Sequence, residues 1–273
     1  MLLPKRVTVE LTNHCNRYCN DCPRLLMRYS VGDMPFTLFT HITDQLPDDV
    51  CIVPFYRGEP TLHPHFPKCM KNLERFREVQ LATNGDYLTE PNKTAILNTC
   101  SFLSLSLHKW TFPKKSGWTS FLYDCAGAGI ETQVSVLDSL VREKNKKEWK
   151  QEWLKHVDRV RIYETHSKNG FGSMNEKASC EACQKPFEEM VVYWDGKVGL
   201  CNHDWNNSTQ LGDLNCQSVS EVWTSSPYQS VRAFHGMKQR GLVESCRDCS
   251  FQSNKIYGEL IRNGRSFNNK MEN

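Results

Sequence analysis

The chain has 273 residues, 39% of them hydrophobic and 24% charged, and a formal net charge of +3. That composition is globular, at a length that suits two modest domains, and the mixing of basic with acidic residues excludes the one-sided field of a nucleic-acid-binding surface. The opening Met1-Leu-Leu-Pro-Lys-Arg is too short for a signal peptide and no run approaches the ~20 apolar residues of a membrane span, so a cytoplasmic protein is expected, with neither membrane nor nucleic acid as partner.

Short β-rich runs alternate with helical stretches through the first 163 residues. Strands are expected at 6–11, within 50–55, and at 79–83, 102–107, 131–137 and 159–163. Helices are expected from 37, from 65, and at 90–97, 119–126 and 148–156. Six βα-type units imply an α/β fold with a parallel sheet. The basic stretch 142–150 alternates with Glu and reads as a solvated helix face. After Glu164 a polar, glycine-containing linker, 165–173, leads to Cys180-Glu-Ala-Cys183. Runs at 190–193 and 198–201 flank an Asp195-Gly196 turn and read as a β-hairpin. Two short helices follow, then Cys246-Arg-Asp-Cys249, and the stretch from Asn263 reads as a mobile tail.

The cysteines carry the chemistry. Thirteen is an odd count, and the C-x-x-C groupings point to metal binding in a reducing compartment rather than to disulfides. Cys15-Asn-Arg-Tyr-Cys19-Asn-Asp-Cys22 directly follows the first expected strand. Three thiolates packed so closely can hold three irons of a cubane cluster and leave the fourth iron open. A zinc site closed by His14 is the alternative that spacing alone leaves.

This C-x3-C-x2-C spacing resembles the cluster motif of radical S-adenosylmethionine (radical SAM) enzymes, and the resemblance continues in chain order. Gly58-Glu59-Pro60 stands where that family has its GGEP-type motif, Thr83-Asn84-Gly85 ends the third strand, and Ser104 and Ser106 lie on the fourth. Each alone reads as an ordinary turn or strand; their order and their position at strand ends carry the match. The resemblance implies an open partial (β/α)6 TIM-like barrel whose C-terminal strand ends gather the site. It implies a 4Fe-4S cluster on Cys15, Cys19 and Cys22 whose open iron binds the methionine end of SAM. Glu59, beside Gly58, would accept from the SAM ammonium, and Asn84 with either Ser106 or Ser104, which point the same way, would contact its carboxylate and ribose. The residue before the third cysteine is usually aromatic in that family and packs near the adenine. Here it is Asp21, which leaves that contact without stacking, and Tyr18 is available to cover part of the same surface.

The hairpin with its distal C-x-x-C resembles the C-terminal SPASM or shorter twitch domain, and Leu211-Gly212-Asp213-Leu214 and Val222-Trp223-Thr224-Ser225 look like segments of the same family. The resemblance implies one auxiliary 4Fe-4S cluster closed by Cys183, Cys201, Cys246 and Cys249, although a structural zinc could use the same four ligands. The domains would be 1–168 for the core, 169–262 for the small α+β SPASM/twitch domain and 263–273 for the tail. Cys180 reads as an alternative ligand, a hydrogen-atom donor or a spectator thiol. Cys51, Cys69, Cys100 and Cys125 read as small buried hydrophobes, and Cys216 lies in a loop.

The implied reaction is reductive cleavage of SAM by an electron from a low-potential donor such as flavodoxin or ferredoxin, followed by removal of a hydrogen atom from substrate. Electron transfer to the auxiliary cluster would complete an oxidation, as in dehydrogenases of aminocyclitol alcohols. Return of a hydrogen atom would give epimerisation. The first strand begins close to Met1, which argues for a small polyol, sugar or aminocyclitol over a peptide, with a peptide-modifying maturase or epimerase as the alternative. Tyr163, Glu164 and His166, following the sixth strand, and His108, following the fourth, are candidates to bind hydroxyls or accept a proton. A non-catalytic iron-sulfur carrier or zinc-binding module is the reading of a different class.

Overall fold

The computed structural model describes residues 3–164, 182–249 and 259–262. Strands among the described residues are β1 Arg6–Val9, β2 Cys51–Val53, β3 Gln80–Thr83, β4 Phe102–Ser106 and β5 Glu131–Leu137, then β6 Arg159–Tyr163, β7 Glu189–Val192, β8 Lys197–Gly199, β9 Gln210–Asp213 and β10 Glu259–Arg262. They form two five-stranded sheets, ordered β2-β1-β7-β8-β9 and β10-β6-β5-β4-β3. The chain divides into two compact units, residues 1–80 with 166–255 and residues 81–165 with 256–273.

In the first unit, β1 is the inner strand. It pairs in parallel with β2 on one side and with β7 on the other, and Val7 and Val9 are fully buried. β7 turns back into β8 through Gly196, whose φ of +85° is the left-handed conformation that a tight hairpin asks of glycine, and β9 adds antiparallel to β8. Helices Phe36–Thr43 and Phe66–Leu73 bury Phe39, Ile42, Phe66, Met70 and Leu73, and helix Ser226–Gly236 buries Tyr228, Val231 and His235.

In the second unit, β4, β5 and β6 run parallel, β3 lies beside β4, and β10 closes the other edge antiparallel to β6. Helices Glu90–Thr99, Thr119–Gly127 and Lys146–Trp153 connect or follow these strands. Trp149 and Trp153 are fully buried, and both indole N–H groups donate to the Thr111 carbonyl, at 2.8 and 2.9 Å. Glu259 of β10 pairs with Lys146 and Lys150.

Strands β5 and β6 occupy the ranges expected from their alternation. β2 is shorter than the apolar run at 50–55 because Pro54 has no N–H to continue a ladder. β9 and β10 were not anticipated as strands; both are four residues long and draw their stability from pairing. The expected domain boundary at 168–169 and the tail 263–273 lie outside the described residues.

Candidate metal and cofactor site

In the first unit the cysteine loop leaves β1 over a buried base. Asn13 is fully buried; its Oδ1 accepts from Gly32 N–H at 2.8 Å and its Nδ2 donates to the Ser30 carbonyl at 2.9 Å. Beyond it Cys15, Cys19 and Cys22 are half-buried, and Cys22 N–H donates to the Cys19 carbonyl at 3.0 Å, folding the last two thiols into one turn. Burial pushes the Cys15 thiol up, with the Glu59 carboxylate and Cys22 adding to the rise; burial and the neighbouring cysteines push up Cys19. Arg24 donates to the Arg17 carbonyl at 3.2 Å and lies over the Tyr18 ring. Asp21 and Tyr18 are both exposed, Tyr18 at 81%.

The Gly58-Glu59-Pro60 turn docks directly on this loop. Glu59 N–H donates to the His14 carbonyl at 2.8 Å. A Cβ on Gly58 would stand 2.3 Å from the Thr12 carbonyl oxygen and 2.6 Å from that of His14, so glycine is required by close backbone approach rather than by flexibility. Glu59 itself is 2% exposed, and its Oε1 accepts from Thr61 N–H at 3.1 Å and Thr61 Oγ1 at 2.6 Å. A buried, oriented carboxylate thus docks on the loop that carries the three thiols, close enough to Cys15 to raise it.

The distal cysteines belong to the same unit. Cys183 and Cys246 are buried, while Cys201 and Cys249 are half-buried. Cys183 precedes the short helix Lys185–Glu188 that enters β7, Cys201 follows β8, Cys246 ends the 3-10 turn Glu244–Cys246, and Cys249 N–H donates back to the Cys246 carbonyl at 3.2 Å. Burial pushes Cys201 up strongly and Cys246 up to about 12, each also raised by charge on other cysteines of the set. His203 N–H donates to Cys201 Sγ at 3.4 Å. Arg240, 2% exposed, donates to the Cys249 carbonyl at 2.6 Å. Among the described residues no three His, Cys, Asp or Glu side chains crowd one point as ligands of a single ion do. The four ligands of a cubane sit on four separate irons and are spaced more widely. A soft all-thiol donor set with a buried cation beside it and an N–H group directed at the Cys201 sulfur suits an anionic iron-sulfur cluster, whose irons replace the thiol protons.

The second unit carries the remaining candidates. Asn84 is buried just past β3 and its Oδ1 accepts from Asp86 N–H at 2.9 Å; Gly85, with φ of +73°, lies under the Trp118 indole. Ser104 and Ser106 share one face of β4 and both meet Ser135 of β5, at 3.3 and 3.2 Å, while Gln133 donates to Ser104 at 3.0 Å. Ser104 is buried and Ser106 is the more open of the two. Glu164 is half-buried one residue beyond β6. His166 and Cys180 lie outside the described residues.

Residues 180–250 match the SPASM family, an iron-sulfur cluster-binding domain. Over 271 residues, 93% of this chain and 97% of the relative, the sequence is 25% identical to the S-adenosyl-L-methionine-dependent 2-deoxy-scyllo-inosamine dehydrogenase of Niallia circulans. The chain thus carries a SPASM-type domain at 180–250 and is similar along its length to a SAM-dependent dehydrogenase. Its fold is that of the solved BtrN complex with AdoMet and 2-DOIA, at a TM-score of 0.64 and 20% identity over 95% of this chain and 99% of that one. Streptococcus suis SuiB bound to its precursor peptide SuiA shares the fold at a TM-score of 0.66 and 13% identity, over 86% of this chain and 68% of that one. The α/β fold with a partial barrel and an appended SPASM domain is therefore as expected.

Three further buried polar residues, outside the motifs, shape the first unit. Glu10, fully buried at the end of β1, accepts from Tyr29 OH at 3.1 Å and from Trp194 N–H at 3.3 Å, and burial raises it to about 7. A lone carboxylate in an otherwise apolar run was the available signal. Asp204 is 2% exposed and accepts from Ser208 and Thr209 N–H, while its carbonyl accepts from Tyr193 and Tyr56, which pins the loop after Cys201. His235 is 1% exposed, and burial with the nearby Arg240 charge lowers it to about 4.

Proposed function

We propose that this protein dehydrogenates a small aminocyclitol or related polyol by SAM-dependent radical chemistry, with one auxiliary 4Fe-4S cluster as electron acceptor. Cys15, Cys19 and Cys22 hold the first cluster, and Cys183, Cys201, Cys246 and Cys249 hold the second. The first cluster with SAM supplies, when bound, a 5′-deoxyadenosyl radical that removes a hydrogen atom from a carbinol carbon. Glu59 accepts from the ammonium of SAM, Gly58 keeps that carboxylate against the cysteine loop, and Asn84, Ser104 and Ser106 provide polar contacts, with Asp21 near the adenine side. Glu164 or His166 takes the hydroxyl proton as the second electron leaves, and Cys180 stays available as a hydrogen donor. A flavodoxin or ferredoxin supplies the initiating electron. Among the described residues no helix is long and apolar enough to cross a membrane, which agrees with a cytoplasmic site of action.

The docking of Gly58 and Glu59 onto the loop of Cys15 supports this reading most directly, because a buried carboxylate held against a loop of half-buried thiols serves an amine-bearing ligand better than a closed electron carrier. Similarity along nearly the whole length to an aminocyclitol dehydrogenase supports the substrate class. The test is anaerobic reconstitution followed by SAM, dithionite and 2-deoxy-scyllo-inosamine, comparing the wild type with Cys15→Ala/Cys19→Ala/Cys22→Ala. About eight irons, with 5′-deoxyadenosine and a ketone lacking two hydrogens made by the wild type alone, are expected, and about four irons in the variant. Clusters without SAM cleavage would return the chain to the carrier reading. Cleavage without the ketone would remove the aminocyclitol.

A further inference from the structure

His235 sits at the end of helix Ser226–Gly236 and touches two of the four distal cysteines at once. Its Nδ1 accepts the backbone N–H of Cys183 at 3.2 Å, and its Nε2 lies 3.6 Å from Cys246 Sγ. The first contact settles the second. A ring nitrogen that accepts an N–H carries a lone pair, so the single proton of a neutral imidazole must be on Nε2. Once Cys246 is a thiolate, Nε2–H has an acceptor at N–H···S distance, and no water reaches the 1% exposed ring to compete.

We propose that His235 is a positioning residue for the auxiliary cluster, holding the Cys183 segment through Nδ1 while donating Nε2–H to Cys246 Sγ and so raising the reduction potential of the cluster. The inference rests on the four-cysteine assignment above. Its physical basis is general: a hydrogen bond to a ligating sulfur stabilises the added negative charge of the reduced cluster, and such bonds are among the determinants of iron-sulfur potentials. Arg240 acts in the same sense. It is buried and donates to the Cys249 carbonyl, so its charge lies beside the same ligand set. An auxiliary cluster that must accept an electron from a substrate radical gains from both.

The two ring nitrogens can be separated by substitution. In full-length Cys15→Ala/Cys19→Ala/Cys22→Ala protein, where only the auxiliary cluster remains, the midpoint potential is measured for His235, His235→Gln and His235→Asn. Gln extends an N–H donor to the position of Nε2, whereas Asn offers an acceptor toward Cys183 N–H but no donor to sulfur. A lower potential in the Asn variant, restored toward the parent by Gln, is expected. Equal potentials in all three, or the same drop in both variants, would overturn the proposal. Protein with His235 intact but labelled with 15N in its histidine rings decides the matter independently of how the variants fold. Pulsed electron paramagnetic resonance of its reduced cluster should show a ring 15N coupling that is lost in His235→Asn, or, if that variant loads no cluster, is present in the parent. A parent with about four irons and no such coupling defeats the proposal alone. A parent with no iron defeats the four-cysteine assignment as well.

Discussion

Arg57 donates through Nη2 to the backbone carbonyl of Asn202 at 2.6 Å, joining the residue before Gly58 to the residue after Cys201. The same guanidinium donates to Tyr56 OH at 3.0 Å and lies over the Tyr56 and Trp205 rings. One side chain therefore braces the loop of a distal ligand from the turn that carries Glu59. Replacing a group that orients a ligand typically lowers metal affinity roughly 10- to 100-fold. Arg57→Met is expected to lose its distal cluster to a chelator roughly 10-fold faster than the wild type, read as bleaching of the cluster absorbance. Equal bleaching rates would show that Asn202 needs no such brace.

Glu59→Gln keeps an oxygen for Thr61 but removes the charge. A charged hydrogen bond contributes about 1.5–3 kcal/mol, so SAM should bind roughly 10- to 100-fold more weakly while iron content stays at the wild-type value. Equilibrium binding of SAM to reconstituted protein checks this, and unchanged affinity would take the ammonium away from Glu59.

Gly58→Ala puts a methyl group into the Thr12 and His14 carbonyls. Overpacking of this kind costs about 1–3 kcal/mol. The Tm should fall by several degrees, and deoxyadenosine formation should fall with it because the Glu59 carboxylate shifts away from the cysteine loop. A variant with wild-type Tm and turnover would mean that the turn yields without consequence.

Burial lifts Glu10 from 4.5 to about 7, so between those values the folded chain holds a proton that the unfolded chain has released. Stability from this group is full below pH 4.5, declines as pH rises through 7, and the total loss is on the order of 3 kcal/mol. Glu10→Gln removes the dependence. The variant should be more stable than the wild type at pH 8 and no more stable at pH 5, as thermal unfolding at the two values would reveal. A constant difference across that range would place the titration elsewhere.

Local patterns carried much of this structure. The strand at 131–137 was legible because its alternation is uninterrupted and the Gly129 turn precedes it, and the motif residues fell at strand ends as a parallel α/β chain requires. What escaped was set by distant partners. Glu10 belongs to no motif, and only the folded chain brings Tyr29 and Trp194 N–H over it. His235 reads as one polar residue in a short helix, and only the folded chain brings its two nitrogens to Cys183 and Cys246. Gly58 was legible as part of its motif, but the reason for glycine there, the backbone of Thr12 and His14 leaving no room for a side chain, is visible only in the folded chain.

The parallel pairing of β1 with β7 brings Arg6 opposite Glu189. During synthesis the first strand therefore leaves the ribosome long before one of its two neighbours exists, with a row of unpaired N–H and C=O groups facing outward. The cysteines of residues 15–22 emerge in that same interval. Completion of the sheet from which the 15–22 loop springs is then a late event, waiting on strand β7, and a nascent or truncated protein lacking that strand is the form most exposed to aggregation and to oxidation of its thiols.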